Sequence, residues 1–390
     1  MNLINDIVAL SDEMQQWRRH IHAHPELAFK EYDTASFVAE KLQQFGLEIH
    51  QGLAGTGVVG SITRGGSNRA IGLRADLDAL PIEETNQFSH RSKKPGVMHA
   101  CGHDGHTCML LGAAKHLAQA DSFEGTVHFI FQPAEENEGG ARTMIEDGLF
   151  ERFPVESVFG MHNIPGMAVG SFAIKPGPMM AAFDVFDIKI TGTGGHAAMP
   201  HLAIDPILVG TKIVEAFQTI VSRTINPQEP TVLGVTQFHG GDAYNVIPND
   251  LVISGCTRCF SQSIQAQLES SMKTVAEDIA RAHGACAEFR YERRYPPTIN
   301  SEQEAETARQ AAAQVVGSSN VHDPRPSMGS EDFAYMLQAK PGSYIWIGNG
   351  DGEGSCMVHN PGYDFNDEIL PIGASYWVQL VNNILPRLSA

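Results

Sequence analysis

Four short segments carry side chains able to hold a metal ion: Cys101 and His103 in MHACGHDGHT, Glu135 and Glu136 in QPAEENEGG, His162 in MHNIPG, and His359 in VHNPGYDF. One ion takes three or four protein ligands, so five ligands and a spare carboxylate point to a two-ion hydrolytic centre with its own general base. The thiolate is soft and can bridge two ions, which favours zinc, nickel, cobalt or manganese over magnesium or calcium. Cys101 and His103 are two apart on a loop ahead of a helix, where alternate residues point the same way. Glu135 and Glu136 are neighbours in a loop opened by Pro133, so one can face an ion and the other its water. His162 and His359 each stand in a His-Asn pair followed by Pro-Gly, a rigid turn that fixes the ring. Any one segment is equally an inert thiol, an acidic turn or a packed histidine. Only the set carries the signal.

Other combinations are weaker. His20, His22 and His24 form HxHxH at a helix end, where alternate residues do not share a face. Cys256 and Cys259 bracket Arg258 on an expected strand, and positions three apart there face opposite sides. Gly192, Gly194 and Gly195 lack the helix and phosphate-binding lysine of a nucleotide loop. His99, His106, His201 and Glu331 suit pocket lining and simple packing equally.

The elements that must position these residues alternate between strand and helix. Leu3, Ile4, Ile7, Val8, Met14 and Trp17 give helical spacing over 3–17, and a second helix covers about 35–45 with Gly46 as its stop. AIGLRAD (70–76), VHFIFQ (127–132) and SVFGMH (157–162) read as strands, and TCMLLGAAKHLA (107–118) and ARTMIEDG (141–148) as helices. The pattern predicts an α/β fold with a mixed or parallel sheet flanked by helices. Asp76, Glu135, Glu136 and His162 then all fall at or just beyond strand ends, where open α/β sheets bind ligands.

From Phe183 the rhythm changes. FDVFDIKI (183–190) alternates, a helix spans about 203–223, strands fall near 231–237 and 251–257, and a long helix near 262–283 leads to a strand at 287–291. This predicts an inserted α+β domain over 181–294, a four-stranded sheet with two helices. Residues 1–180 and 295–390 form the main domain, completed by helices near 301–316 and 367–386 and the strand SYIWIG (343–348).

Length and composition bound the function. At 390 residues the chain exceeds one simple core. Its net charge of -18, from 27 basic and 45 acidic residues, argues against nucleic acid and anionic membrane as partners. No stretch has the apolar length of a membrane span, and the first twenty residues lack the pattern of a signal peptide. The six cysteines fit a reducing, cytoplasmic setting.

RADLDALP (74–81), MHACGHDGHT, QPAEENEGGA, MHNIPG, GTGGHAAMPH (192–201), MGSEDFAYM (328–336) and HNPGYDFND (359–367) together resemble the peptidase M20 superfamily. They resemble in particular its amidohydrolase branch of hippurate hydrolases, N-acyl-amino-acid amidohydrolases and auxin-conjugate hydrolases. The resemblance runs in order from about residue 15 to the C-terminus. It implies a two-metal, exopeptidase-like catalytic domain interrupted by a smaller dimerisation or lid domain, hence a homodimer. It implies that Cys101, His103, Glu136, His162 and His359 bind two divalent ions (zinc, manganese, nickel or cobalt), with Cys101 bridging. Glu135 is the implied general base, and Asp76 the acid that orients a ligand histidine. His196 is implied to reach a neighbouring subunit's site and hold the oxyanion, and Asn245 and Arg258 to bind the substrate carboxylate. The activity this implies is hydrolysis of N-acyl-L-amino acids to a carboxylic acid and a free amino acid. A dipeptidase or aminopeptidase of the same fold is the alternative within enzymes. A non-catalytic metal-binding relative has no use for the spare Glu135.

Overall fold

The computed structural model describes residues 1–136, 138–352 and 356–387, which form two compact units. The first comprises Met1–Met179, Ile299–Arg325 and Asp332–Ala390, and the second Met180–Thr298 with Pro326–Glu331.

Among the described residues, the first unit is built on an eight-stranded mixed sheet. Its order is Glu48–Leu53, Gly57–Arg64, Gly125–Gln132, Ala70–Asp76, Ser157–Pro165, Gly342–Gly350, Phe172–Ala173 and Val321–His322. The four strands from Gly125–Gln132 to Gly342–Gly350 run parallel, with Asp76 opposite Gln132. They are buried almost without a break, as parallel strands covered on both faces must be. The long helices His103–Gln119, Glu302–Val316 and Leu370–Ile384 flank the sheet. Small residues allow close packing: Ala305, Ala308, Ala311 and Ala312 are all buried on one helix face.

The N-terminal helix expected over 3–17 is instead two, Asn5–Val8 and Ser11–Ala23. The Ser11 hydroxyl donates to the Val8 carbonyl at 2.7 Å and so closes the first one off. The antiparallel pair Glu48–Leu53 and Gly57–Arg64 has no counterpart in the sequence reading. Its first strand is polar and mostly exposed, so it lacks the apolar alternation that would announce it.

The second unit holds a four-stranded antiparallel sheet, ordered Thr231–His239, Asp250–Cys259, Phe183–Thr191 and Cys286–Tyr295. Helices Pro206–Thr219 and Gln262–Ala282 cover one face. Alternation sends Phe186, Ile188 and Ile190 inward and Asp187 and Lys189 to solvent.

Candidate metal centre

All six metal-capable residues belong to the first unit, and the fold gathers them. Cys101 lies in the turn before helix His103–Gln119, and His103 is that helix's first residue. Gly102 between them has φ +95°, and a Cβ there would stand 2.3 Å from the Asn163 side chain, so only glycine suits the turn. Cys101 Sγ lies 3.3 Å from His162 Nε2. His359 Nε2 lies 3.0 Å from Glu136 Oε1, and His103 Nε2 lies 4.0 Å from Glu135 Oε2. Three overlapping groups, Cys101–His103–His162, Cys101–Glu136–His359 and His103–Glu135–Glu136, each keep their donor atoms within 4.8 Å of one another.

The loop bearing the two glutamates is held by buried acids. Glu31 accepts the Ala134 N–H at 2.9 Å, where Ala134 takes φ 55°. The carboxylate of Asp78 accepts the Glu135 N–H at 3.0 Å through one oxygen and the Glu136 N–H at 2.9 Å through the other. The Asp78 carbonyl accepts from His103 Nδ1 at 2.8 Å. That bond commits Nδ1 as a donor, so Nε2 is the nitrogen that a cation would take once it displaces any proton there. His162 is fixed likewise: its Nδ1 donates to the Asn163 carbonyl at 2.7 Å, which aims Nε2 at the cysteine.

The donors fit a cation. His103 Nε2 and Glu136 Oε1 are buried without a hydrogen-bond partner, although His359 Nε2 is only 3.0 Å from that oxygen. The pair is close without being aligned as donor and acceptor, as expected of two lone pairs turned to a shared centre. Burial pulls the His103 imidazole down, yet Asp76 and Asp78 outweigh it and raise it to about 10. Burial, then Glu136 and Glu135, push the Cys101 thiol well up. Both shifts describe a pocket with surplus negative charge. A cation bound there releases protons from its ligands.

Asp76 was expected to orient a ligand histidine; Arg74, two residues back on the same strand face, donates to its Oδ2 at 2.7 Å. Asp76 Oδ1 goes to His106 Nδ1 at 2.7 Å, and Asp76 stands 3.8 Å from His103 Nε2. Asp78, two residues on, touches His103 and both glutamates. Both acids of the RADLDALP segment lie against His103, Asp76 at 3.8 Å from Nε2 and Asp78 through Nδ1.

His196, Asn245 and Arg258 lie in the second unit. His196 is exposed, paired with Val246, and its Nδ1 accepts the Ala198 N–H at 3.1 Å. The ring proton is then on Nε2, a donor turned outward. His196 and Asn245 line one open recess of about 720 Å³ with Gly194, Gly195 and Asn249. Arg258 stacks 4.0 Å over Phe183 and donates to Ser330 Oγ at 3.2 Å.

Two of the HxHxH histidines are tied into hydrogen bonds. His22 is buried between Asp104 (2.9 Å) and Glu84 (3.3 Å), while His24 bonds its own helix at the His20 carbonyl. Cys256 and Cys259 are both free thiols, as are the other four cysteines. His201 is exposed, and His99 and Glu331 are buried.

Residues 72–383 match the model of peptidase family M20/M25/M40. A hippurate hydrolase from Campylobacter jejuni is 41% identical over 97% of this chain and 98% of its own. An N-acyl-L-amino acid amidohydrolase from Geobacillus stearothermophilus is 47% identical over 76% of this chain and 81% of its own. A crystal structure of a Bacillus subtilis protein, described as a dinuclear metal binding peptidase of the M20 family, superposes with a TM-score of 0.85. It is 34% identical and covers 97% of this chain and 99% of that one.

Proposed function

The chain belongs to peptidase family M20/M25/M40, and from that membership we propose a metal-dependent amidohydrolase that splits N-acyl-L-amino acids into a carboxylic acid and an amino acid. Hippurate-like and N-acetyl amino acids are its substrate class. The observation that carries this reading is the division of labour between two adjacent carboxylates. Glu136 stands against His359 with an unpartnered oxygen, while Glu135 faces His103 from the neighbouring position.

Cys101, His103, Glu136, His162 and His359 would hold two divalent ions, zinc, manganese, nickel or cobalt. When bound, the ions supply Lewis acidity toward water and toward the amide carbonyl. Glu135 accepts the proton of the attacking water and delivers it to the leaving nitrogen, which departs as an amine. Asp78 keeps that carboxylate in place by holding the backbone of both glutamates. The outward Nε2–H of His196 suits a developing oxyanion in a second copy of the chain. Asn245 and Arg258 bind the substrate carboxylate.

A homodimer through the second unit supports that arrangement. Its edge strand Thr231–His239 leaves Val232 and Phe238 exposed, which is costly for a monomer. A cytoplasmic setting suits six free thiols, one of them a ligand.

Glu135→Gln tests the reading. The variant is expected to retain wild-type metal content and to lose about 10²–10⁴-fold in kcat on hippurate or N-acetyl-methionine. Unchanged turnover would remove Glu135 as the base. A wild-type enzyme that cleaves plain dipeptides and leaves both acyl amino acids intact would replace the amidohydrolase with a peptidase.

A further inference from the structure

Beneath the ligand set runs a chain of buried polar groups that the reaction does not consume: Arg74, Asp76, His106, Asn163 and Tyr363. We propose that His106, Asn163 and Tyr363 form a positioning relay that carries the orientation of Asp76 to the His162 ring and the Cys101–Gly102–His103 turn. The inference rests on the metal reading above.

Hydrogen-bond polarity fixes the relay's state. The Asn163 backbone N–H donates to His106 Nε2 at 3.0 Å, so that nitrogen is an acceptor. The ring proton must then be on Nδ1, where it donates to Asp76 Oδ1 at 2.7 Å. As placed, Asn163 Oδ1 lies 2.8 Å from the same Nε2, and Nδ2 lies 2.6 Å from the Tyr363 hydroxyl. Two acceptors would face each other. Exchanging the amide's oxygen and nitrogen removes the conflict: its NH₂ donates to His106, and its oxygen accepts from the tyrosine. The single Nε2 lone pair is then shared by two donors, the backbone N–H and the amide NH₂, and the proton order runs in one direction. In the low-dielectric interior such a closed network holds its members firmly.

The relay meets the ligands at two points. The Asn163 carbonyl accepts the His162 Nδ1–H at 2.7 Å and so selects the tautomer that leaves Nε2 toward Cys101. The Asn163 side chain and the Tyr363 hydroxyl also form the floor of the turn, standing 2.3 Å and 2.7 Å from where a Gly102 Cβ would be. His106 further packs edge-on against His162, with ring centroids 4.5 Å apart at 62°. A shift of Asn163 therefore moves the sulfur and two imidazoles together.

Cobalt(II) titration of the full chain, read by the charge-transfer absorption of the cobalt–thiolate bond, tests this. His106→Phe keeps the ring's bulk and loses all three hydrogen bonds; affinity should fall about 10–100-fold, with a weakened or displaced band. His106→Gln retains a donor and an acceptor and should recover most of both. Tyr363→Phe removes one hydroxyl and should cost about 2–10-fold in affinity. A merely structural role would lower the melting temperature and leave band and affinity of the folded protein as in wild type. Wild-type values in folded His106→Phe and Tyr363→Phe overturn the relay. If His106→Phe does not fold, Tyr363→Phe decides alone. A wild-type protein without the band, matching a Cys101→Ser control, overturns the metal reading and the relay with it.

Discussion

Asp78 illustrates how much one buried side chain can hold at the scale of a residue. Its two carboxylate oxygens each accept a glutamate N–H, and its carbonyl takes the His103 ring proton. Asp78→Asn replaces one oxygen with an NH₂ that must face a backbone N–H, so donor meets donor. We expect kcat to fall about 10–100-fold, with reduced metal content by elemental analysis. Wild-type kinetics and metal content together would show that the loop is held by other means. The six metal-capable residues were legible in the sequence because chemistry of that kind needs His, Cys and Glu in numbers. Asp78 was not, and His106 stood only as pocket lining or packing, because hydrogen-bonding partners of such residues can be almost any polar side chain.

Elements matter here through where they begin and how tightly they turn. Helix His103–Gln119 starts four residues before its apolar run. Its first turn, HDGH, is polar, and it is buried because Asp104 meets His22 at 2.9 Å and Arg18 at 3.5 Å. No periodicity reveals a helical turn whose burial depends on partners some eighty residues away. The loop after strand Gly125–Gln132 ends at Gly140, where an added Cβ would lie 1.8 Å from the Pro133 carbonyl oxygen. Gly140→Ala must displace that backbone, and with it Glu135 and Glu136. The expected cost is about 1–3 kcal/mol in urea unfolding, together with loss of activity. Gly66→Ala, whose Cβ would meet nothing within 4 Å and whose backbone is not left-handed, is the comparison and should retain activity. Equal activity in the two variants would show that the glutamate loop tolerates the shift.

At the scale of the molecule, two buried histidines set opposite limbs of the stability profile. Burial pulls His22 down, but hydrogen bonds from Asp104 and Glu84 outweigh it and raise it to about 9. Its stabilisation is complete below the unfolded value near 6.5 and is lost as pH rises through 9. Burial lowers His128 to about 4, so its share is present above 6.5 and is lost as pH falls toward 4. Each is worth on the order of 3 kcal/mol at full extent. Unfolding measured across pH 4–10 should show a shallower alkaline slope in His22→Gln and a shallower acid slope in His128→Gln, with His103 and His99 supplying part of what remains on each limb. Slopes identical to wild type would contradict both assignments. Dimerisation gives a second test at this scale. His196→Ala and Glu135→Gln, each inactive alone, should recover activity when mixed if His196 serves the partner's site. No recovery after verified subunit exchange would confine each site to one chain.

The sequence by itself determined which side chains are able to hold a metal and the switch to an antiparallel α+β unit after Phe183. Those features follow from residue chemistry and from periodicities of two and 3.6, which act locally along the chain. Tertiary structure alone decided that the Asp78 carbonyl takes the His103 Nδ1–H bond, that Glu136 comes within 3.0 Å of His359, and that His106 meets Asn163. Such pairings turn on differences of about an ångström between groups far apart in sequence. A hydrogen bond forms or fails over that distance, and no local pattern encodes it.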